Sequence, residues 1–259
     1  MGELEDYMLL SSAVSMNLEA QPVANADRFR CVVRGPYCVV SVDHISDELA
    51  TTIMQLLRSG IESQPIGVLS GRGQVAVYDL PPLGRVFVKR YAHGGLLRSI
   101  TRGRFLSVGQ VRSRAEFEML EQVRALGINA PKPFAYVTCG SMVYSTWLLM
   151  QEIPDTVSLV ELSKRDPDAV HDAMKKLSEQ LMVLVRNKIL HVDLHPGNVL
   201  VDSQGTVFIV DFDKAHDFRG SSVTLRDLYL RRWRRAVIKH GLSPLLTELM
   251  SLTLRSYDD

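Results

Sequence analysis

The stretch "HVDLHPGNVLVDSQGTVFIVDFD", His191 to Asp213, holds two short apolar runs around a turn-like "DSQG", with polar residues gathered at its outer ends. The runs Val199–Val201 and Val207–Val210 are β-branched and aromatic, and a Gly-containing connection joins them, which predicts a β-hairpin. In an antiparallel pair, residues equidistant from the turn face one another, with Cβ atoms about 4.5–5.5 Å apart. A turn centred on Gln204 and Gly205 sets Asn198 opposite Asp211 at the open end of the hairpin. An oxygen from each suits one small hard cation such as Mg²⁺, which takes phosphate oxygens as its other partners. Asp193 lies five residues before Asn198, on the loop entering the same end. A carboxylate there suits the orientation of a hydroxyl beside a metal-bound phosphate.

This layout resembles the catalytic loop of kinases, followed by their metal-binding Asp-Phe pair. It reads His191-Val192-Asp193-Leu194-His195-Pro196-Gly197-Asn198, then Asp211-Phe212-Asp213. Asp and Asn often do no more than cap turns. The joint spacing of all three groups around one hairpin is more specific than turn capping requires.

A kinase reading makes demands upstream. It needs a nucleotide-covering glycine loop, a strand lysine for the phosphates and a helical glutamate to hold that lysine. "LSGRGQVAVYDLPPLGRVFVKRY" supplies the first two. Gly71, Arg72 and Gly73 form a tight turn between apolar runs, where missing side chains let backbone N–H groups approach phosphate. Ala76 stands where the usual pattern has its third glycine. One hairpin later, Lys89 alternates with Val86 and Val88 on a predicted strand. The glutamate comes from the helix in "VGQVRSRAEFEMLEQVRALG", where Glu116, Glu118 and Glu121 are all candidates and Glu116 is favoured. Ser113 with Glu116 also fits a capping box, whereas a cap of Ser107 with Gln110 would leave Glu116 near mid-helix.

Composition bounds the rest. The chain has 259 residues, 46% hydrophobic and 23% charged, which describes an ordinary globular protein with a generous core. No acidic residue occurs between Pro81 and Ala115, while Arg85, Lys89, Arg90, Arg98, Arg102, Arg104, Arg112 and Arg114 accumulate. A second cluster, "RDLYLRRWRRAVIKH", holds Arg226, Arg231, Arg232, Arg234, Arg235 and Lys239 around Trp233. Such stretches attract phosphates and anionic lipid headgroups, although a basic helix can simply be a solvated face. Cys31, Cys38 and Cys139 show no metal spacing, and their odd number argues against a disulfide framework, as expected of a reducing cytosol. No run of eighteen apolar residues occurs, and the acidic start "MGELEDYMLL" is unlike a signal peptide.

The expected organisation is α+β, a two-lobed protein-kinase-like fold. Residues 1–60 form an extension with strands and one helix, 61–150 the smaller lobe and 151–259 the larger. Gln151 and Ile153 sit at the hinge, where their backbone would meet adenine. Beyond Pro154, Val170, Met174, Leu177, Leu181 and Leu184 mark the buried side of a helix. Only 46 residues follow Asp213. With no Ala-Pro-Glu element among them, the activation segment is reduced. A lobe so short suits a small or carbohydrate acceptor better than a peptide.

With these residues in view, the chain resembles the bacterial 3-deoxy-D-manno-octulosonic acid (Kdo) kinases and the related heptose kinases of lipopolysaccharide core assembly. The matching segments are "GRG" at Gly71–Gly73, "VKRYAHGGLLRSITRGRFL", "RSRAEFEMLEQVRALGINAPKPFAYV", "HVDLHPGNVLV" and "VDFDKA", covering roughly residues 65 to 240. The run from "KRY" through "GGLL" and the arginines to "AEFEML" discriminates. The catalytic-loop pattern alone is also similar to aminoglycoside and choline phosphotransferases. The resemblance implies ATP- and Mg²⁺-dependent phosphorylation of a sugar hydroxyl on a lipid-linked anionic acceptor, at the cytoplasmic face of the inner membrane. By position, Asp193 accepts or orients the hydroxyl proton, Asn198 and Asp211 hold Mg²⁺, and Lys89, held by Glu116, binds the α- and β-phosphates. The expected partners are the acceptor and the membrane surface, through the arginine stretches, and not nucleic acid. A cytosolic small-molecule kinase is the alternative, and an atypical Ser/Thr protein kinase follows it. A pseudokinase scaffold would lack the metal ligands that are present here. Guanidinium groups grip carboxylate and phosphate bidentately. Neutralising Arg98, Arg102 and Arg104 together is therefore expected to weaken acceptor affinity and membrane association, and unchanged values for both remove that assignment.

Overall fold

Alternating β-branched residues in the first half of the chain build an antiparallel sheet, seen here in a computed structural model that describes residues 29–42, 45–59, 67–69, 74–91, 105–106, 111–141 and 143–255. The chain divides into two units: the first holds residues up to Phe117 and Pro133–Gln151, the second Glu118–Lys132 and the chain from Glu152 onward.

In the first unit the strands are β1 (Arg30–Arg34), β2 (Tyr37–Ser41), β3 (Gly67–Leu69), β4 (Gln74–Leu80), β5 (Gly84–Arg90), β6 (Phe105–Leu106), β7 (Pro133–Cys139) and β8 (Val143–Gln151). Their order in the sheet is β1-β2-β7-β8-β5-β4-β3, and β6 pairs with the start of β8. The boundary expected near residue 60 is crossed by this sheet, because β2 pairs along its whole length with β7. The strands of residues 30–41 are thus edge strands of the same sheet that carries Lys89.

Period-two alternation gives the sheet two faces. Val39, Val86, Val88, Ala135, Val137 and Leu149 lie on one face, under helix α1 (Asp47–Ser59). Leu49, Ala50, Ile53, Met54 and Leu57 of α1 recur at helical spacing and are buried against them. Each large side chain among them contributes about 1.5–3 kcal/mol on full burial. The Ser46 hydroxyl accepts from the Leu49 N–H at 3.1 Å and caps the helix. Phe87 and Lys89 occupy the opposite face. Helix α2 (Arg112–Ala125) brings Phe117 there, fully buried and edge-on to Tyr136 with ring centroids 5.4 Å apart.

In the second unit, β9 (Thr156–Ser158) leads into α3 (Leu159–Arg165) and then α4 (Pro167–Arg186). Asp166 caps α4 by accepting from the Ala169 N–H at 3.0 Å, with Pro167 in the first turn. Val170, Met174, Leu177, Leu181 and Leu184 are all buried, as their spacing predicts. Next come β10 (Ile189–Leu190), a 3₁₀ turn at Pro196–Asn198, β11 (Val199–Asp202), β12 (Val207–Ile209) and β13 (His216–Asp217). Two helices follow, α5 (Ser222–Lys239) and α6 (Leu245–Arg255). Trp233 is not part of a cationic surface: it is 1% exposed in the core, and its indole N–H donates to the Leu246 carbonyl at 3.0 Å.

The hairpin forms, but one residue out of the expected register. Val199 pairs with Ile209, Leu200 with Phe208 and Val201 with Val207. Continuing this ladder sets Asn198 opposite Val210, and the Val210 N–H donates to the Asn198 carbonyl at 3.0 Å. The cause is the turn. Asp202 accepts from both the Gln204 and Thr206 N–H groups, at 2.9 and 2.7 Å, so the connection has three residues, with Gly205 at φ 73°. A three-residue loop with glycine in the left-handed position is a standard hairpin connection. Asp211 therefore lies one step beyond the position facing Asn198.

Candidate active site

Lys89 ends a run of alternation on β5, and its ammonium group meets Glu116 of α2. Nζ donates to Oε1 at 3.0 Å and to Oε2 at 2.8 Å. Glu116 is 1% exposed, so its carboxylate has left water and needs partners. Tyr91 supplies another, its hydroxyl donating to Oε2. Tyr91 lies two residues after Lys89, and period two is the only signal in the sequence that would have found it. The α2 start at Arg112 also removes the capping-box reading of Ser113 and Glu116. The Ser113 hydroxyl bonds instead to Thr146, which in turn donates to the Val137 carbonyl at 2.9 Å. Gly71, Arg72 and Gly73 lie outside the described residues, as do Ser107 and Gln110. Gln151 is the exposed last residue of β8, paired with Val86. Ile153, in the second unit, is half-buried.

The second unit groups Asp193, Asn198 and Asp211. The Asn198 amide Nδ2 donates to the Asp193 carbonyl at 2.9 Å, which orients Asn198 by its nitrogen and leaves Oδ1 as its acceptor. Asp193 is exposed. Asp211 adopts φ 66°, a left-handed backbone that aspartate tolerates better than most residues and that is common where function fixes a side chain. The two carboxylates share surroundings, since both act electrostatically on the His191 and His195 imidazoles. Two carboxylates and an amide oxygen are hard donors, the type Mg²⁺ prefers when phosphate oxygens complete its shell. Among the described residues no group of three or more His, Cys, Asp or Glu is arranged to hold a metal ion, and Mg²⁺ sites of this kind need none.

His191 is the hidden support of this group. It is completely buried, and its Nε2 lies 3.0 Å from the Val210 carbonyl. A carbonyl only accepts, so the proton is on Nε2. The ring packs edge-on against Phe212, centroids 4.6 Å apart. Burial pushes the His191 imidazole below the usual histidine range. His195 is shifted the same way, again mainly by burial, and its Nδ1 accepts from the Gly197 N–H at 3.0 Å.

An α+β chain that pairs a strand lysine with a buried helical glutamate, and follows with Asp, Asn and Asp around a hairpin, belongs to the kinase-like phosphotransferases. Residues 61–243 match the lipopolysaccharide kinase (Kdo/WaaP) family, and the chain belongs to that family. Its relatives include the 3-deoxy-D-manno-octulosonic acid kinase of Vibrio vulnificus strain YJ016, 31% identical over 61% of this chain and 68% of that one. The enzyme of the same name from Vibrio cholerae is 27% identical over 69% of this chain and 77% of its own length. That of Xylella fastidiosa strain M23 is 26% identical over 74% and 72%. The protein is accordingly a phosphotransferase acting on a sugar hydroxyl, in a lipopolysaccharide-related role.

Lys89→Met removes the ammonium partner of a buried carboxylate and is expected to cost about 3 kcal/mol in urea denaturation. Adding Glu116→Leu should recover most of that loss, and a double variant no more stable than the single one contradicts the pairing. Histidines whose folded-state pKa is depressed bind fewer protons when folded than when unfolded. Stability should therefore be full above about pH 6.5 and fall as pH drops below it. His191→Gln should flatten that slope in denaturation curves taken at several pH values.

Proposed function

We propose that this chain transfers the γ-phosphoryl group of ATP to a hydroxyl of a Kdo residue, or of a heptose, on a lipid-linked acceptor of the lipopolysaccharide inner core. The observation that carries this reading is the pairing of Lys89 with both carboxylate oxygens of Glu116, the type of lysine–glutamate ion pair by which kinases position a lysine for nucleotide phosphates. Lys89 then binds the α- and β-phosphates, and the backbone near Gln151 receives the adenine. Asp193 orients the acceptor hydroxyl and takes its proton as the oxygen bonds to the γ-phosphorus. The bond from that phosphorus to the β–γ bridging oxygen breaks, and ADP leaves. Asn198 and Asp211 would hold Mg²⁺, which supplies charge neutralisation on the phosphates. Such catalysis is mainly positioning and electrostatics.

The acceptor is anionic, and the reading extends to where the protein works. Arg231, Arg234, Arg235 and Lys239 are exposed on α5 at helical spacing, with Ile238 69% exposed among them. A cationic helix face with an apolar residue fits the anionic surface of a membrane, here its cytoplasmic side. No described helix is long and apolar enough to cross one.

Incubation with ATP, Mg²⁺ and Kdo–lipid A, read by mass spectrometry, should show the acceptor gaining one phosphate. Asp193→Ala should slow that gain by about 10²–10⁴-fold. An unmodified acceptor, or full activity in the variant, overturns the reading.

A further inference from the structure

Residues 191–195 run between β10 and the 3₁₀ turn without a strand ladder of their own, so something else must fix the backbone that carries Asp193. Side chains do so. Tyr229 of α5 is 1% exposed, and its hydroxyl donates to the Ile189 carbonyl at 2.7 Å while accepting from the His191 N–H at 2.8 Å. One turn further along the same helix, the Arg232 guanidinium donates to the Val192 carbonyl. Asn198 takes the next carbonyl, that of Asp193. Side chains thus hold main-chain groups on both sides of Asp193, two of them supplied by one helix.

That helix is itself held. Leu225, Tyr229, Trp233 and Val237 form its buried stripe, and the Trp233 indole is tied to the start of α6. Arg232 also behaves differently from its neighbours: Arg231, Arg234 and Arg235 are exposed, whereas Arg232 is partly buried beneath the loop. Among the four arginines from Arg231 to Arg235, Arg232 turns toward the loop and the other three face solvent.

We propose that Tyr229 and Arg232 are positioning residues, which hold the 191–193 backbone so that the Asp193 carboxylate stands where the acceptor hydroxyl arrives. This rests on the reading of Asp193 given above. The Tyr229 anchor persists across physiological pH, because burial pushes its phenol upward and it remains protonated. Displacement of a reacting group by about 1 Å can cost on the order of 10²-fold in rate. Loss of an anchor should therefore act on turnover and leave nucleotide binding alone.

The test uses the full chain with Arg232→Met, Arg232→Lys and Tyr229→Phe. Arg232→Met should lower kcat by about 10- to 100-fold with the KM for ATP changed less than about twofold, and Arg232→Lys, which keeps a donor, should regain most of the loss. Amide hydrogen exchange at His191–Leu194, measured without nucleotide or acceptor, should quicken by about tenfold or more in Arg232→Met and Tyr229→Phe. Tyr229→Phe keeps the ring in its pocket and carries the exchange test if Arg232→Met does not fold. Unchanged exchange in folded variants overturns the proposal. So does a kcat loss that only tracks the unfolded fraction by circular dichroism, or an equal loss in Arg232→Lys. Because exchange needs no substrate, its outcome stands apart from the function reading, which fails instead if the unaltered protein transfers no phosphate.

Discussion

Glu116, a charged group with 1% exposure, is costly to bury in the first unit, and the sheet beside it supplies its partners. Moving a lone carboxylate out of water is prohibitive, so Glu116 at that position requires partners, and Lys89 and Tyr91 converge on it. That convergence requires β5 to present Lys89 and Tyr91 on one face, and α2 to meet the same face with Glu116 beside the buried Phe117. The other face is left for α1 and its apolar stripe. Burial also screens the pair from solvent and salt, which makes it a rigid support for the ammonium group. Such a pair is weak support for stability in itself. Its value lies in fixing where the ammonium stands.

The second unit solves a related problem with main-chain hydrogen bonds. Asp193 is exposed, so packing cannot hold its side chain. The surrounding backbone is held instead, by His191 through Val210, by Asn198 through the Asp193 carbonyl, and by two side chains of α5.

Much of this was legible beforehand because local chemistry is written in short spacings. The catalytic-loop spacing, the alternation through Lys89 and the helical stripe from Val170 to Leu184 depend on periods of two and 3.6, which a chain carries wherever it goes. The choice among Glu116, Glu118 and Glu121 was not legible in the same way. All three lie on one helix, and only the approach of β5 selects the first. The hairpin register also escaped, since Asp202 turns a two-residue connection into a three-residue one by accepting two N–H groups, and a shift of one residue follows. Tyr229 and Arg232 looked like members of a basic amphipathic run, 38 and 40 residues from the backbone groups they hold.

By itself the sequence determined the class of chemistry: a lysine strand, a glutamate helix and an Asp–Asn–Asp hairpin occur together for phosphoryl transfer, and no packing information is needed to read them. The tertiary structure alone decided which carboxylate is buried, which arginine turns inward, and that the strands of residues 30–41 join the sheet that bears Lys89. The division has a physical cause. Periodicity and turn chemistry act over a few residues, whereas desolvation and hydrogen-bond pairing depend on which distant groups the fold brings into contact.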